Sequence, residues 1–484
     1  VCPQADRDAP TAPRGPAMNF AESRFWLLLI VGLVAIVLVR HAARLILARQ
    51  PQDLDKVLLC GLGLFLLVYV GWVTFIVFVG VAAGSYVGLL WILRRPAATH
   101  RRYLFVLIVL QLLPLLYYKY AHFATSQILG RDVRLLSDLV IPVGISFYTF
   151  QKVAFVVDTL AHHTPLPRFL DYMNFAGFFP QIVAGPIERR ADLLPQMETF
   201  RFRWSMANIN EGAAWMTLGL FFKLSLADNL ALHFDGASSS NAYLIWLANI
   251  LFGLRIYYDF AGYSLIALGL ARCLGIRLTV NFLSPYAATS AADFWRRWHV
   301  TLSQWFRDYV YVPLGGGRVR WWAFNITIVF LVSGIWHGAG WNFVCWGAAH
   351  GLALMVNRWF GARMTMPSVL GWLLTMITVF SAWLAFYETR TDVLARKALT
   401  LLRPEAYGRV ARLEALQHLS SPEGVVTCCI LALTGVVLTI EWLSVRNRRE
   451  PYRFFLAPVI SIALVILTVL LAPGTSNGFI YFAF

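Results

Sequence analysis

Apolar residues run along this chain in long stretches separated by short, basic connections. Such stretches occupy residues 25–39, 57–93, 103–118, 212–231, 243–269, 321–336, 341–359, 369–386, 425–443 and 454–471. Crossing the hydrocarbon core of a bilayer takes about 20 apolar residues of helix. The runs therefore predict membrane helices, and 57–93 is long enough for a hairpin of two spans. Shorter or re-entrant segments at 142–157 and 174–186 bring the expected total to about 11 to 13 membrane elements. The fold class read from this pattern is an all-α polytopic membrane protein, with residues 18–484 forming one membrane domain.

Two polar intervals punctuate the runs. Residues 193–208 close the first half, and 389–423, with Lys397, Arg403, Arg409 and Arg412, form a second interval. Each predicts a loop or surface helix at a membrane face, too short for an independent domain. Residues 1–17, rich in Pro, Ala and charge, predict a disordered extension. Residues 293–309 (DFWRRWHVTLSQWFRDY) differ from the spans: Phe294, Trp295, Trp298, Leu302, Trp305, Phe306 and Tyr309 recur at helical spacing, with Arg296, Arg297, Gln304, Arg307 and Asp308 opposite. That pattern predicts one interfacial amphipathic helix, with His299 about 80° from the centre of the aromatic stripe and beside Ser303.

Composition agrees with lipid as solvent, since 59% of the 484 residues are hydrophobic and 14% are charged. The formal net charge of +16 would suit a nucleic-acid binder if it lay on one folded face. It lies instead in short connections: Arg40, Arg44 and Arg49 after the first run, Arg94, Arg95, Arg101 and Arg102 after the hairpin, and Arg446, Arg448, Arg449 and Arg453 before the last run. Membrane lipid is thus the expected partner and nucleic acid is not; the positive-inside rule puts those loops in the cytoplasm and the N-terminus outside. The six cysteines show neither CxxC pairs nor metal-finger spacing, so no disulfide framework, metal site or bound cofactor is expected.

Ionisable groups inside apolar runs are costly and point to cavities, partners or substrate paths. His337 stands in SGIWHGAGWNFVCWGAAHG (333–351), flanked by Gly334, Gly338 and Gly340, where small residues admit a backbone break or a close approach. An imidazole there suits removal of a hydroxyl proton. His299 reads either as a second catalytic or orienting group or as an interfacial histidine. His350 lies 13 residues beyond His337, about 220° around an uninterrupted helix, and reads as structural. Asp259, in RIYYDFAGYS (255–264), either pairs with Arg255 one turn earlier or lines a substrate path. Glu188, after GPI at 185–187, reads as a loop residue, and Gly315 to Gly317 as a turn. Tyr258, Trp298, Ser303, Arg307, Trp336 and Asn342 join Asp259 as candidate substrate-binding residues. HExxH, GxSxG, Walker and dinucleotide-binding patterns are missing from the sequence, which removes support for hydrolase, ATPase and dehydrogenase readings.

The blocks IPVGISFYTFQ (141–151), FFPQIVAGPIERR (178–190), YYDFAGYSLIALGLARCLGI (257–276), NFLSPYAATSAADFWRRWHVTLSQWFRDYVYVPLGGGR (281–318) and 333–351, in that order, resemble the membrane-bound O-acyltransferase family. The similarity is greatest to its bacterial branch of alginate O-acetyltransferase and teichoic-acid D-alanyl transfer proteins; GGGR after YVPL and the ending NGFIYFAF (477–484) favour the alginate-type side. Ala483, and WLAFYE at 383–388, depart from that pattern.

The resemblance implies a ring of about 11 transmembrane helices, with re-entrant and interfacial helices around a central funnel or tunnel. It places the family's invariant histidine on His337 and its second implicated histidine on His299. The expected activity is transfer of an acyl group, acetyl before D-alanyl, from acetyl-CoA or an acyl carrier thioester to an envelope or extracellular polysaccharide. The expected setting is the bacterial inner membrane, with His337 as base and His299 assisting. An alternative is an acyl relay that hands the group to a periplasmic SGNH-type acetyltransferase.

Overall fold

The computed structural model describes residues 20, 22–47, 51–131, 133–137, 139–182, 185–233, 241–361, 367–474 and 478–480. The expectation for residues 1–17 and most of the segment 477–484 fall outside them. The protein is an all-helical polytopic membrane protein, and among the described residues no strand occurs. Six of the described helices are long and apolar enough to cross a membrane, namely Ser23–Ile46, Trp72–Leu93, Ala97–Ile128, Ala242–Cys273, Ser368–Tyr387 and Pro422–Arg446. Trp322–His337 and Pro458–Leu471 are shorter apolar helices. Contacts group the chain into two compact units, Val1–Val183 with Gly478–Phe484, and Ala184–Asn477.

In the first unit the expected hairpin is present as Leu54–Val70 and Trp72–Leu93, separated by Gly71 alone, whose φ of 156° suits a residue without a Cβ. The segment expected to be short or re-entrant at 142–157 is the helix Ile145–Ala161, buried along most of its length. Its Lys152 is fully enclosed, with Nζ 4.1 Å from the Phe78 ring centre and 3.4 Å from the Tyr148 carbonyl. The other short segment becomes Phe169–Ala176 and Phe179–Ile182. Asp171 on the former accepts from buried Lys56 at 2.6 Å and from Arg168 at 3.1 Å, which fastens it to Leu54–Val70. Removing one member of such a buried pair costs about 3–5 kcal/mol.

The second unit is organised by Ala242–Cys273, a helix of 32 residues buried on nearly every side. A helix apolar all round belongs inside a bundle. Met206–Leu220, continued by a π-helical turn at Phe221–Ala227, runs antiparallel along it, with Gly212 opposite Gly269 and Gly219 opposite Gly262. A Cβ on Gly219 would stand 2.6 Å from the Gly262 carbonyl oxygen, so small residues set this helix separation.

The π-helical turn delivers Lys223 between two carboxylates, Asp228 and Asp259, at 2.7 Å each. Asp259 thus has a close ion pair with Lys223 in addition to its electrostatic interaction with Arg255. The ammonium reaches Asp259 from a neighbouring helix, and all three partners are buried. The polar interval at 389–423 forms the helices Thr391–Leu402 and Arg409–Leu419. The single amphipathic helix expected at 293–309 is corrected. It divides into Ala291–Arg297, Val300–Phe306 and a π-helical turn at Arg307–Tyr311, with Trp298 extended and His299 left-handed between the first two.

Candidate active site

The break at His299 has a tertiary cause. The extended segment before Pro285 pairs with it, Val300 N–H donating to the Asn281 carbonyl and Leu283 N–H to the Arg297 carbonyl, each at 2.9 Å. These bonds take up backbone groups that a continuous helix would have used internally. His299 consequently adopts φ 41°, ψ 58°, a conformation that costs a non-glycine residue about 1–2 kcal/mol. Strain of this kind clusters at functional sites.

The His299 side chain is wholly buried rather than on the border of an exposed helix. Its Nδ1 lies 3.1 Å from Asn281 Oδ1, which also accepts from Thr301 N–H at 3.2 Å and Thr301 Oγ1 at 3.0 Å. Because Thr301 N–H must face an acceptor, the oxygen end of Asn281 is fixed. Nδ1 therefore carries the proton, and Nε2 keeps its lone pair. Burial drives the imidazole pKa down to about 3, so the ring is neutral at physiological pH. Phe260 meets it edge-on, ring centres 4.7 Å apart.

Thr301 Oγ1 in turn accepts from Ile187 N–H at 3.0 Å. The next residue, Glu188, is only 2% exposed, a finding that its loop position did not suggest. Its carboxylate accepts from Thr279 N–H at 2.6 Å and Thr279 Oγ1 at 3.2 Å. Burial pushes its pKa up to about 7, against the opposing effect of the Thr279 hydrogen bonds. The GPIE segment thus holds the chain on both sides of Asn281.

His337 is the last residue of Trp322–His337, and Gly338 leaves the helix in an extended conformation. The next helix, Trp341–Gly361, packs back against it through glycines: a Cβ on Gly334 would meet the Phe343 carbonyl, and one on Gly347 the Phe330 carbonyl. His337 is 2% exposed, with its ring 4.8 Å from Trp346 and 5.2 Å from Phe386. Trp336 stands 4.9 Å from His337 and 6.2 Å from His299, and so is in ring contact with both imidazoles. His350, which does not share a continuous helix with His337 because the backbone breaks at Gly338, packs 4.7 Å from the same Trp346.

The remaining candidates divide. Trp298 is buried beside His299, within aromatic contact of Phe282 and Trp383. Asn342 is buried one turn from the His337 break and donates to the Ala385 carbonyl at 3.0 Å. Ser303 donates to the Trp298 carbonyl at 3.2 Å and steadies the turn around His299. Arg307 is exposed and paired with Asp308. Tyr258 donates to the Thr434 carbonyl and Asp259 binds Lys223, so both serve other packing interfaces. Asn281, Thr301, Trp346 and Phe386 belong around the two histidines, though no residue-level signal singled them out.

The sequence profile of the membrane-bound O-acyltransferase family matches residues 62–391, which include both histidines and the whole of their surroundings described above. The chain belongs to this family. Among its relatives, the peptidoglycan O-acetyltransferase of Helicobacter pylori is 34% identical over 331 residues, 60% of this chain and 63% of the relative. The probable alginate O-acetylase AlgI of Pseudomonas syringae is 33% identical over 340 residues, 66% of this chain and 64% of the relative. A teichoic acid D-alanyltransferase of Streptococcus thermophilus is 29% identical over 245 residues, 46% of this chain and 58% of the relative. The matched stretches thus span less than two thirds of the length of each of these membrane-bound O-acyltransferase relatives.

Proposed function

We propose that the protein is an O-acyltransferase of the bacterial inner membrane that passes an acetyl group from a cytoplasmic thioester, acetyl-CoA or an acyl carrier, to hydroxyls of an envelope polysaccharide. The names of the two O-acetylating relatives support acetyl over D-alanyl. The observation that carries the reading is that His299 and His337, both buried, each pack against Trp336. A buried imidazole able to take a proton, in contact with the same Trp336 as a second one held neutral, suits attack of an alcohol on a thioester.

In this scheme His337 accepts the proton of the acceptor hydroxyl while its oxygen bonds to the acyl carbon. The carbon–sulfur bond then breaks, and the proton passes from His337 to the departing thiolate, so protons and electron pairs balance. His299 Nε2 accepts a hydrogen bond that orients one substrate, with Asn281 fixing the ring. Holding donor and acceptor together supplies the proximity on which such a transfer depends.

His337→Ala is expected to lower transfer by about 10²–10⁴-fold, the usual contribution of a general base. Unchanged polysaccharide acetylation in a normally folded His337→Ala protein refutes the assignment. The same chemistry serves a relay to a periplasmic SGNH-type acetyltransferase. Purified protein that acetylates an oligosaccharide unaided excludes the relay, and strict dependence on such a partner favours it.

A further inference from the structure

Away from the two histidines, a cavity of about 900 Å³ lies along the helices Ala242–Cys273, Ser368–Tyr387 and Pro422–Arg446. Ile250, Leu254, Met376, Ile377, Phe380 and Leu438 make its walls apolar. Two buried polar atoms interrupt them. Glu441 is 1% exposed; its Oε2 accepts from the Tyr257 hydroxyl at 2.9 Å, whereas its Oε1 makes no hydrogen bond among the described residues. Ser284, also 1% exposed and at a left-handed φ of 52°, turns its side chain toward this carboxyl. Buried polar atoms nearly always have partners, and an apolar cavity with a few convergent polar groups is the usual form of a ligand site.

The position of the cavity decides what enters it. All three helices are long and apolar enough to cross a membrane, and Val369 and Trp442 on its rim are exposed, so the opening faces hydrocarbon. From Ser368 to Phe380 the wall runs about 18 Å at 1.5 Å per residue, close to the depth of one leaflet. Glu441 lies one to two turns before the end of its helix at Arg446, near the level of lipid headgroups. The Arg446 guanidinium stands 5.2 Å over the Trp442 ring, which places a cation at the rim, and Arg448 and Arg449 follow it.

We propose that this cavity binds one phospholipid of the ethanolamine type. Its acyl chain lies along Met376 and Phe380, its ammonium donates to Glu441 Oε1, and its phosphate sits beside Arg446. A hydrocarbon chain matches the walls, a headgroup donor matches the cavity-lining Glu441 Oε1, and a phosphate matches the rim cation.

The test is photolabelling of the full chain in vesicles of phosphatidylcholine and phosphatidylethanolamine, in which either lipid carries a diazirine in its acyl chain. The expected result is ethanolamine-lipid label concentrated at 250–254, 376–380 and 438–442, at least fivefold above the exposed face of Ser23–Ile46. Met376→Trp is expected to abolish this excess. Ile377→Trp, at a half-exposed wall position, serves the same purpose if the first variant does not fold. Glu441→Gln is expected to remove the preference for ethanolamine over choline while acyl-chain labelling persists. Label spread evenly over all exposed helices, or an ethanolamine preference that survives Glu441→Gln, overturns the proposal.

Discussion

Asn281 offers the sharpest test of the His299 arrangement, because one side-chain oxygen serves three donors: His299 Nδ1–H, Thr301 N–H and Thr301 Oγ1. Asn281 is 1% exposed, so water does not replace that oxygen readily. Asn281→Ala leaves His299 Nδ1–H and Thr301 N–H without their acceptor, while the Thr301 hydroxyl is free to rotate. Each buried donor left unsatisfied costs about 1–3 kcal/mol, so the variant is expected to lose about 2–6 kcal/mol of stability. It also frees the imidazole to change tautomer, which removes the fixed lone pair on Nε2. Asn281→Asp keeps the acceptor and adds a negative charge, which raises the pKa of the adjacent imidazole. The Asp variant is therefore expected to be more stable than the Ala variant and to show an activity–pH profile shifted on its acidic side. Thermal unfolding in detergent, followed by tryptophan fluorescence, gives the stabilities, and oligosaccharide acetylation at stepped pH gives the profile. If Asn281→Ala unfolds at the wild-type temperature, the three-donor arrangement does not hold His299; if the Asp and Ala profiles coincide, Asn281 does not act through the imidazole.

Two further outcomes follow from the same region. The His299 pKa is lowered from 6.5 to about 3 by burial, so between those values the unfolded chain takes up a proton that the folded chain refuses. The contribution of this group to stability is present above pH 6.5 and is lost as pH falls toward 3; His299→Gln is expected to lessen the acid dependence of the melting temperature, and an identical acid slope in both proteins counts against a neutral buried ring. Gly334→Ala adds about 1 kcal/mol of helix propensity but forces a Cβ into the Phe343 carbonyl, an overpacking loss of about 1–3 kcal/mol or more. It is expected to melt below wild type, whereas Gly435→Ala, with nothing within 4 Å of its Cβ, is expected to melt above it; a rise in both refutes close packing at His337.

Much of the fold was legible because apolar runs and the length of a bilayer-crossing helix constrain each other directly. His337 stood out for a related reason: a titratable ring in an apolar run, among glycines, breaks the local pattern. The break at His299 left no such trace. Phe294, Trp298, Leu302 and Trp305 keep helical spacing straight through it, and its cause is pairing with Asn281 and Leu283, some 14 to 19 residues earlier. Asp259 was only half legible. Arg255 lies one turn away in sequence and interacts with it, but Lys223 arrives from a different helix and makes the close ion pair. Periodicity reports which face a residue occupies; it does not report which distant backbone or charge competes for it.

The two histidines share a structural circumstance. Each stands where a helix stops, His299 in a left-handed break and His337 immediately before extended Gly338. A helix end inside a membrane protein exposes backbone groups that lipid cannot satisfy, so the chain stops only where other protein groups take them up. At His299 this is done by the segment 281–283. At His337 the following helix is tied by Asn342 to the Ala385 carbonyl, and the neighbouring Phe386 packs on the imidazole. At His299 the segment that makes the break tolerable therefore also holds the ring, and at His337 the helix carrying Ala385 supplies the neighbouring Phe386 that packs on the imidazole. A substitution that mends the helix at either point removes its histidine from the side of Trp336 and loses the geometry on which a shared role depends.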